Sequence, residues 1–382
     1  MEMKIRVLIV GVGGFGGGYV RALTERDYGA EIAGVVDVME NIDKVCPEIG
    51  RHHIPVYKTI AGFYQENTAD LAILASPIHL HTSMSIECMK NGSHVLCEKP
   101  LCLKMEEIEA LDRCCMETGR FLAVGYQMNY RKDTLCLKND ILSGKFGRPL
   151  RARCLHAYRR GSVYYARNNW AGRITVNGHE VFDSPFTNAC AHNFQLMTFL
   201  LGKDSESACD ITDIKAEMYR GNETVENYDI ACMQFKTDVG ADIFYYTAHP
   251  LSTEVLGPFA QMEFERAVIE YGGDMRIRAH LDNGEIIDYG EPDQDGYRYK
   301  IEDAVACIKT GKRPVCTTKS EIGHVRAVRM AQAQPVKNIG MDHIDIVEDE
   351  KRGTCRHVKN LEENLRRAFD SWALPGEIGI GL

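Results

Sequence analysis

The run V-L-C-E-K-P-L-C-L, Val95 to Leu103, carries two charges through an apolar stretch and is stopped by Pro100. Glu and Lys are seldom buried unless paired, so a strand ending in Glu98-Lys99 aims its lysine into a cleft or into solvent. A lysine amine that is partly buried, or that has another cation beside it, is pushed towards neutrality and can then take or give a proton. Upstream, G-V-G-G-F-G, Gly11 to Gly16, directly follows K-I-R-V-L-I-V and precedes residues with helical spacing. In this G-x-G-x-x-G pattern Gly11 permits a tight turn and Gly13 lets the backbone approach a pyrophosphate. Gly16 lets helix and strand pack closely, and the helix N-terminus offers N–H groups and a positive dipole end. The next strand, E-I-A-G-V-V-D-V, ends at Asp37. An acid placed about 20 residues past the glycines accepts from both ribose hydroxyls and repels a 2′-phosphate, so these residues predict a dinucleotide site that prefers NAD to NADP.

The elements needed to hold these groups follow in alternation. L-A-I-L-A (71–75), H-V-L-C (94–97) and F-L-A-V (121–124) read as strands; Thr82 to Asn91 and Lys104 to Thr118 read as helices ended by Gly92 and Gly119. Such alternation predicts a doubly wound parallel sheet with ligands at the carboxyl ends of its strands. Ser76-Pro77, Glu98-Lys99-Pro100 and Gly125-Tyr126-Gln127 all fall at such ends. From Leu150 the texture becomes β. R-A-R-C-L-H-A-Y, I-K-A-E-M-Y, Y-D-I-A-C-M-Q-F and A-D-I-F-Y-Y-T-A suit an antiparallel sheet with one covered face. Between them and His192 lies Y-R-R-G-S-V-Y-Y-A-R-N-N-W-A-G, Tyr158 to Gly172. Its rings suit the C–H faces of a sugar and its forked donors suit hydroxyls; the other reading is a loop merely anchored by its aromatics. His156 and His179 read as structural or surface histidines. Thr318-x-x-Glu321 reads as a capping box opening a helix through Met330. I-D-I-V-E-D-E-K-R reads as a solvated charged stretch. Val358, Leu361, Leu365, Ala368 and Trp372 then recur at the spacing of a docked helix, on the body of the chain or on a partner subunit.

Composition narrows the function classes. A chain of 382 residues with 45% apolar content can bury a substantial core and suggests more than one domain. Its formal charge of -9, without a basic block, argues against nucleic acid as a partner. The opening M-E-M-K-I-R-V-L-I-V is too short in apolar residues for a signal peptide. No run long enough to span a membrane is visible, so a cytoplasmic setting is expected. Fourteen cysteines sit mostly in apolar segments (Cys88, Cys97, Cys136, Cys190, Cys232), as small buried hydrophobes in a reducing compartment. Cys88, His94, Cys97 and Cys102 fall on a helix, a strand and a loop with no C-x-x-C pair, so no metal site is expected.

Gly11–Gly16, A-S-P-I-H-L-H and G-S-H-V-L-C-E-K-P together resemble the glucose–fructose oxidoreductase/inositol dehydrogenase/MocA family, from about residue 3 to residue 332 and most strongly in the first 130. The resemblance implies an α/β protein: an N-terminal Rossmann doubly wound parallel sheet plus a C-terminal α/β domain with an open, mainly antiparallel sheet. The expected boundaries are 1–127, 128–332 and a C-terminal extension over 333–382. It implies NAD contacts from Gly11, Gly13, Gly14, Phe15, Gly16, Asp37, Ser76, Pro77, His81, Glu98, Lys99 and Gln127, with Lys99 facing nicotinamide and substrate. The family's D-x-G-x-H segment is matched by T-N-A-C-A-H, with His192 on the histidine and Asn188 where the aspartate usually stands. One helical turn separates the two, so both can face one side. Asparagine retains only neutral hydrogen bonding, and Asp183 is a candidate for the missing acid. Asn129 stands in place of the family's frequent arginine.

The resemblance thus implies a catalytic set of Lys99, His192 and Asn188; the substrate set is these three with Tyr126 and, from the chemistry of the aromatic loop, Tyr158, Arg167 and Trp170. The expected activity is NAD-dependent hydride transfer between a secondary alcohol of a sugar, glycoside or cyclic polyol and the nicotinamide. Glu98 would orient Lys99, and His192 would share or relay a proton. The expected assembly is a homodimer or homotetramer, since family members commonly use the other sheet face as an interface. Two alternatives use the same parts: NAD-recycling glycoside cleavage by transient oxidation and elimination, and a non-catalytic NAD-sensing regulator.

Overall fold

β-Branched and leucine residues without a polar break make Ile5–Val10 and Leu71–Leu74 strands covered on both faces. The computed structural model describes residues 4–293 and 295–382. Among these residues a first unit, ending at Arg131 and rejoined by Asp293–Glu321, holds a six-stranded sheet. Its spatial order is Val56–Tyr57, Ala30–Val36, Ile5–Val10, Leu71–Leu74, His94–Cys97, Leu122–Val124, every pair parallel. The order reverses beside Ile5–Val10, the switch point at which such sheets bind nucleotides. Val56–Tyr57 is too short to show a pattern and escapes the sequence reading. Helices Ile78–Lys90 and Met105–Thr118 cover the sheet where expected, the second closed by Gly119 at φ 67°. The returning helix Arg298–Thr310 places Ile301, Ala304 and Val305 in the same core as Val7, Ile9 and Leu71. Sequence reading assigned this segment to the second domain.

The second unit, Lys132–Pro292 with Ile322–Leu382, is built on a nine-stranded, mainly antiparallel sheet. Strands Pro149–Tyr158, Ile230–Thr237 and Asp242–Ala248 are central, and successive residues serve opposite faces. Tyr245 and Phe235 pack on Phe186 and Phe194. On the other face Leu155, Ala157, Phe244, Tyr246 and Ala248 pack under helix Leu361–Ser371 through Leu361, Leu365 and Ala368. Both faces are therefore covered, not one as the sequence suggested, and the C-terminal helix docks on its own sheet. Trp372 caps this helix, its ring under the guanidiniums of Arg151 and Arg153 at 3.9 and 4.2 Å.

Three smaller expectations change. Ile344–Asp349 is largely exposed as read, but it pairs with Gly353–Val358 as a hairpin. Cys136 is exposed on helix Lys132–Leu142, because its helical position faces away from the buried Asp133, Thr134 and Leu137. The capping box does not form. The Thr317 hydroxyl accepts the Lys319 N–H, Thr318 donates to Asp112, and Glu321 is turned into the interior.

Candidate functional site

Two clusters of chemistry-bearing side chains stand out, one in each unit. In the first, Gly11 turns at φ 83° directly after its strand, and a Cβ there would lie 2.9 Å from the Ala75 carbonyl oxygen. A Cβ on Gly16 would lie 1.8 Å from the Gly11 carbonyl oxygen, whereas one on Gly14 meets nothing within 4 Å. Two glycines therefore let the chain close the turn, and the third leaves room for a ligand. Phe15, the first residue of helix Phe15–Glu25, is exposed. Asp37 follows the second strand, its Oδ2 accepting the Val12 N–H at 2.8 Å and its Oδ1 the Met39 N–H at 2.9 Å. Both bonds fix the carboxylate while each oxygen keeps a lone pair for a ribose hydroxyl. This cradle fits a dinucleotide.

Lys99 is half-buried just beyond the end of strand His94–Cys97, and the Lys99–Pro100 peptide is cis. Glu98 does not reach for the Lys99 amine. Its Oε1 accepts from Tyr19 Oη at 2.7 Å and Lys300 Nζ at 2.5 Å, and its Oε2 accepts the Lys99 backbone N–H at 3.2 Å. The Lys300 ammonium is fully enclosed and lies 4.6 Å from the Phe15 ring centroid and 4.9 Å from that of Tyr19. One buried cation thus ties the glycine turn to the end of the lysine strand. Burial lowers the Lys300 pKa and the Glu98 carboxylate pushes it back up. Glu321 is fully buried, and burial raises its carboxyl to about 8, opposed by the Leu101 N–H and by the charge of Lys99. Ser76 Oγ is shut from solvent with no hydrogen-bond partner. Gln127 is half-buried, with Gly296 beside it.

In the second unit Asn188 lies on a single wide helical turn, Pro185–Ala189, and His192 opens helix Ala191–Leu200. Both are half-buried, whereas Phe186, Thr187, Cys190 and Asn193 around them are buried. Asp183 is buried and holds this turn: Oδ1 accepts from Asn188 Nδ2 at 2.9 Å and Oδ2 accepts the Gly172 N–H at 2.7 Å. The residue before it, Phe182, sits at φ 44°, a region that costs a bulky side chain about 1 kcal/mol or more. The acid anticipated for position 188 is therefore supplied from behind it. Asn193 is buried between His156 Nδ1 at 2.6 Å and the Tyr271 hydroxyl at 2.9 Å, and burial lowers the His156 pKa to about 4. The loop Tyr158–Gly172 stacks Arg160 and Arg167 on the Tyr164 ring at 4.5 and 3.5 Å, with Trp170 5.1 Å from Arg167. Tyr165 bonds buried His249 Nδ1 at 2.9 Å.

The model of an oxidoreductase family with an NAD-binding Rossmann fold, GFO_IDH_MocA, matches residues 5–126. Inositol 2-dehydrogenase 1 of Saccharopolyspora erythraea is 25% identical over 203 residues, 53% of this chain and 56% of the relative. scyllo-Inositol 2-dehydrogenase (NAD(+)) of Bacillus subtilis is 22% identical over 331 residues, 83% of this chain and 90% of the relative. Over residues 5–126 the chain is thus similar to the NAD-binding Rossmann domain of the GFO/IDH/MocA oxidoreductases. It spans little more than half the length, 56% and 57%, of the first curated relatives it matches. In fold it is similar to the WlbA dehydrogenase from Chromobacterium violaceum, crystallised with NADH and UDP-GlcNAcA, at TM-score 0.69 and 21% identity over 87% of this chain and 93% of that one.

Against the GFO/IDH/MocA pattern, three of the sequence-derived assignments need correction. Tyr126 is 0% exposed, and burial raises its pKa well above the usual tyrosine value, so it belongs to the core and not to a substrate surface. His81 is enclosed, its Nδ1 2.9 Å from the Pro100 carbonyl oxygen and its Nε2 2.8 Å from that of Ser76. It braces two strand-end loops instead of touching a cofactor. Glu98 orients Lys99 through the backbone, with its carboxylate committed to Lys300 and Tyr19. Lys300, Glu321, Arg160 and His249 escaped the sequence reading. A lysine set in the stripe 300, 301, 304, 305 and 308 was the visible signal for Lys300; Glu321 was hidden by its resemblance to a capping residue. Among the described residues no group of three or more His, Cys, Asp or Glu is arranged to hold a metal, and no helix is long and apolar enough to cross a membrane.

Proposed function

We propose that this chain is an NAD-dependent oxidoreductase acting on a secondary alcohol of a sugar, glycoside or cyclic polyol. The observation that carries the reading is a half-buried Lys99 at the carboxyl edge of the sheet that carries the glycine cradle. NAD, when bound, supplies the acceptor for the two electrons and the hydrogen that leave the carbinol carbon. Gly11, Gly13, Gly14 and Gly16 are assigned to its diphosphate and Asp37 to its ribose. Ser76, Pro77 and Gln127 line the strand ends nearby. Lys99 takes the proton released by the substrate hydroxyl as the C–O bond becomes a carbonyl, and returns it in the reverse direction. Asn188 and His192 are assigned to substrate hydroxyls, with Asp183 fixing which way the Asn188 amide points. Tyr158, Arg167 and Trp170 are assigned to the sugar's faces and edges.

The test is an NADH absorbance screen over free sugars, inositols and glycosides, with NAD and NADP in parallel. A turned-over polyol and a Lys99→Met variant that binds NAD but loses about 100-fold or more in kcat support the reading. Full turnover by Lys99→Met, or no oxidation of any member, overturns it. Release of free sugar from glycosides without net NADH moves the assignment to NAD-recycling cleavage.

A further inference from the structure

Many arginines of the second unit are paired with acids, Arg159 of the aromatic loop among them. Arg173 pairs with Glu226 at 2.5 Å, Arg329 with Glu180 at 2.9 Å, and Arg159 with Asp349 at 3.2 Å. Arg160 and Arg167 differ. Among the described residues neither guanidinium has an ion-pair or hydrogen-bond partner, and Arg160 Nε is closed off from solvent in that condition. Both rest on one ring, that of Tyr164, so two like charges are held together where cation–π attraction is their main support. A chain that brings two unpaired forks to one place, with a donor already desolvated, presents the geometry that a carboxylate fills bidentately.

The pair is also carried by a loop that is tied to the candidate catalytic turn. The loop that carries it ends at Gly172, whose N–H is held by Asp183, and Asp183 holds Asn188 in turn. Burial first and the Asp183 charge second raise the Tyr164 phenol, so the ring is within electrostatic reach of that turn. An aspartate at position 188 would repel an anionic ligand, whereas the neutral amide of Asn188 does not.

We propose that Arg160 and Arg167 form an anion subsite and that the substrate is a sugar acid, its carboxylate seated between the two guanidiniums. This rests on the carbohydrate oxidoreductase reading and narrows its substrate class.

The NAD-loaded protein is titrated calorimetrically with uronates and N-acetylneuraminate, with the matching neutral sugars, and with glucose 6-phosphate. The subsite predicts that an acid binds at least about 10- to 100-fold more tightly than its neutral counterpart. That preference collapses in the Arg160→Met/Arg167→Met double variant, survives in Arg173→Met, and weakens as salt rises. Thermal midpoints of the variants, unchanged for exposed Arg167→Met, separate lost binding from lost folding. Equal binding of acid and neutral sugars, no acid bound at all, a preference retained by the folded double variant, or tighter binding of the phosphate than of every carboxylate overturns the proposal. Acid bound without NADH formed from any substrate sinks the redox reading and leaves the subsite. NADH formed from neutral polyols alone does the reverse.

Discussion

At the scale of residues, the site depends on charges whose partners are not their neighbours in sequence. Glu321 is fully buried and its carboxyl, which ordinarily titrates near 4.5, is raised to about 8. Between those values the folded chain holds a proton that the unfolded chain has released, so raising the pH across that window favours unfolding. Wild-type stability should fall by about 1–2 kcal/mol from pH 6.5 to 8 on this account, and Glu321→Gln should flatten the decline in thermal melts recorded across that range. The same variant should lose the alkaline limb of the kcat/KM profile near pH 8, since glutamine cannot carry the charge that couples electrostatically to Lys99; an unchanged limb would separate Glu321 from the chemistry. Sequence reading singled out Gly11, Gly16, Asp37, Lys99 and His192 because each sits in a local pattern whose physics is local: a turn, a strand end, a helix start. It missed Lys300 and Arg160 because a buried counter-ion, or the lack of one, is a property of tertiary neighbours.

At the scale of elements, strand–helix alternation made the central strands and covering helices of the Rossmann unit legible, with His94–Cys97 found as read and the helix read from Thr82 beginning a turn earlier at Ile78. What stayed hidden was the helix Arg298–Thr310, whose apolar stripe announces a helix but not the sheet that receives it. Its Lys300 provides the cation for Glu98 across the core. Lys300→Met should destabilise the fold by about 3–5 kcal/mol, because it leaves a carboxylate buried without a cation. The double variant Glu98→Gln/Lys300→Met should recover part of that loss in denaturant titrations. Equal stability of Lys300→Met and wild type would show that the pair contributes nothing net.

At the scale of the whole molecule, the second unit's sheet is closed on one face by the chain's own last helix. The sequence showed that helix through Leu361, Leu365 and Ala368 but not its dock, since alternation in the strands says which residues share a face and not what covers it. A chain ending at Val358 should expose Leu155, Phe244 and Tyr246, then bind an apolar dye more strongly than the full chain and form larger species than it does in sedimentation velocity. The first unit is interrupted more deeply, for Lys300 lies 202 residues beyond the Glu98 it neutralises. Ribosomes emit roughly 5–20 residues per second, so during synthesis that carboxylate waits about 10 to 40 seconds for its counter-ion. The nascent Rossmann sheet therefore carries an uncompensated carboxylate at its lysine edge until about three quarters of the polypeptide has been made.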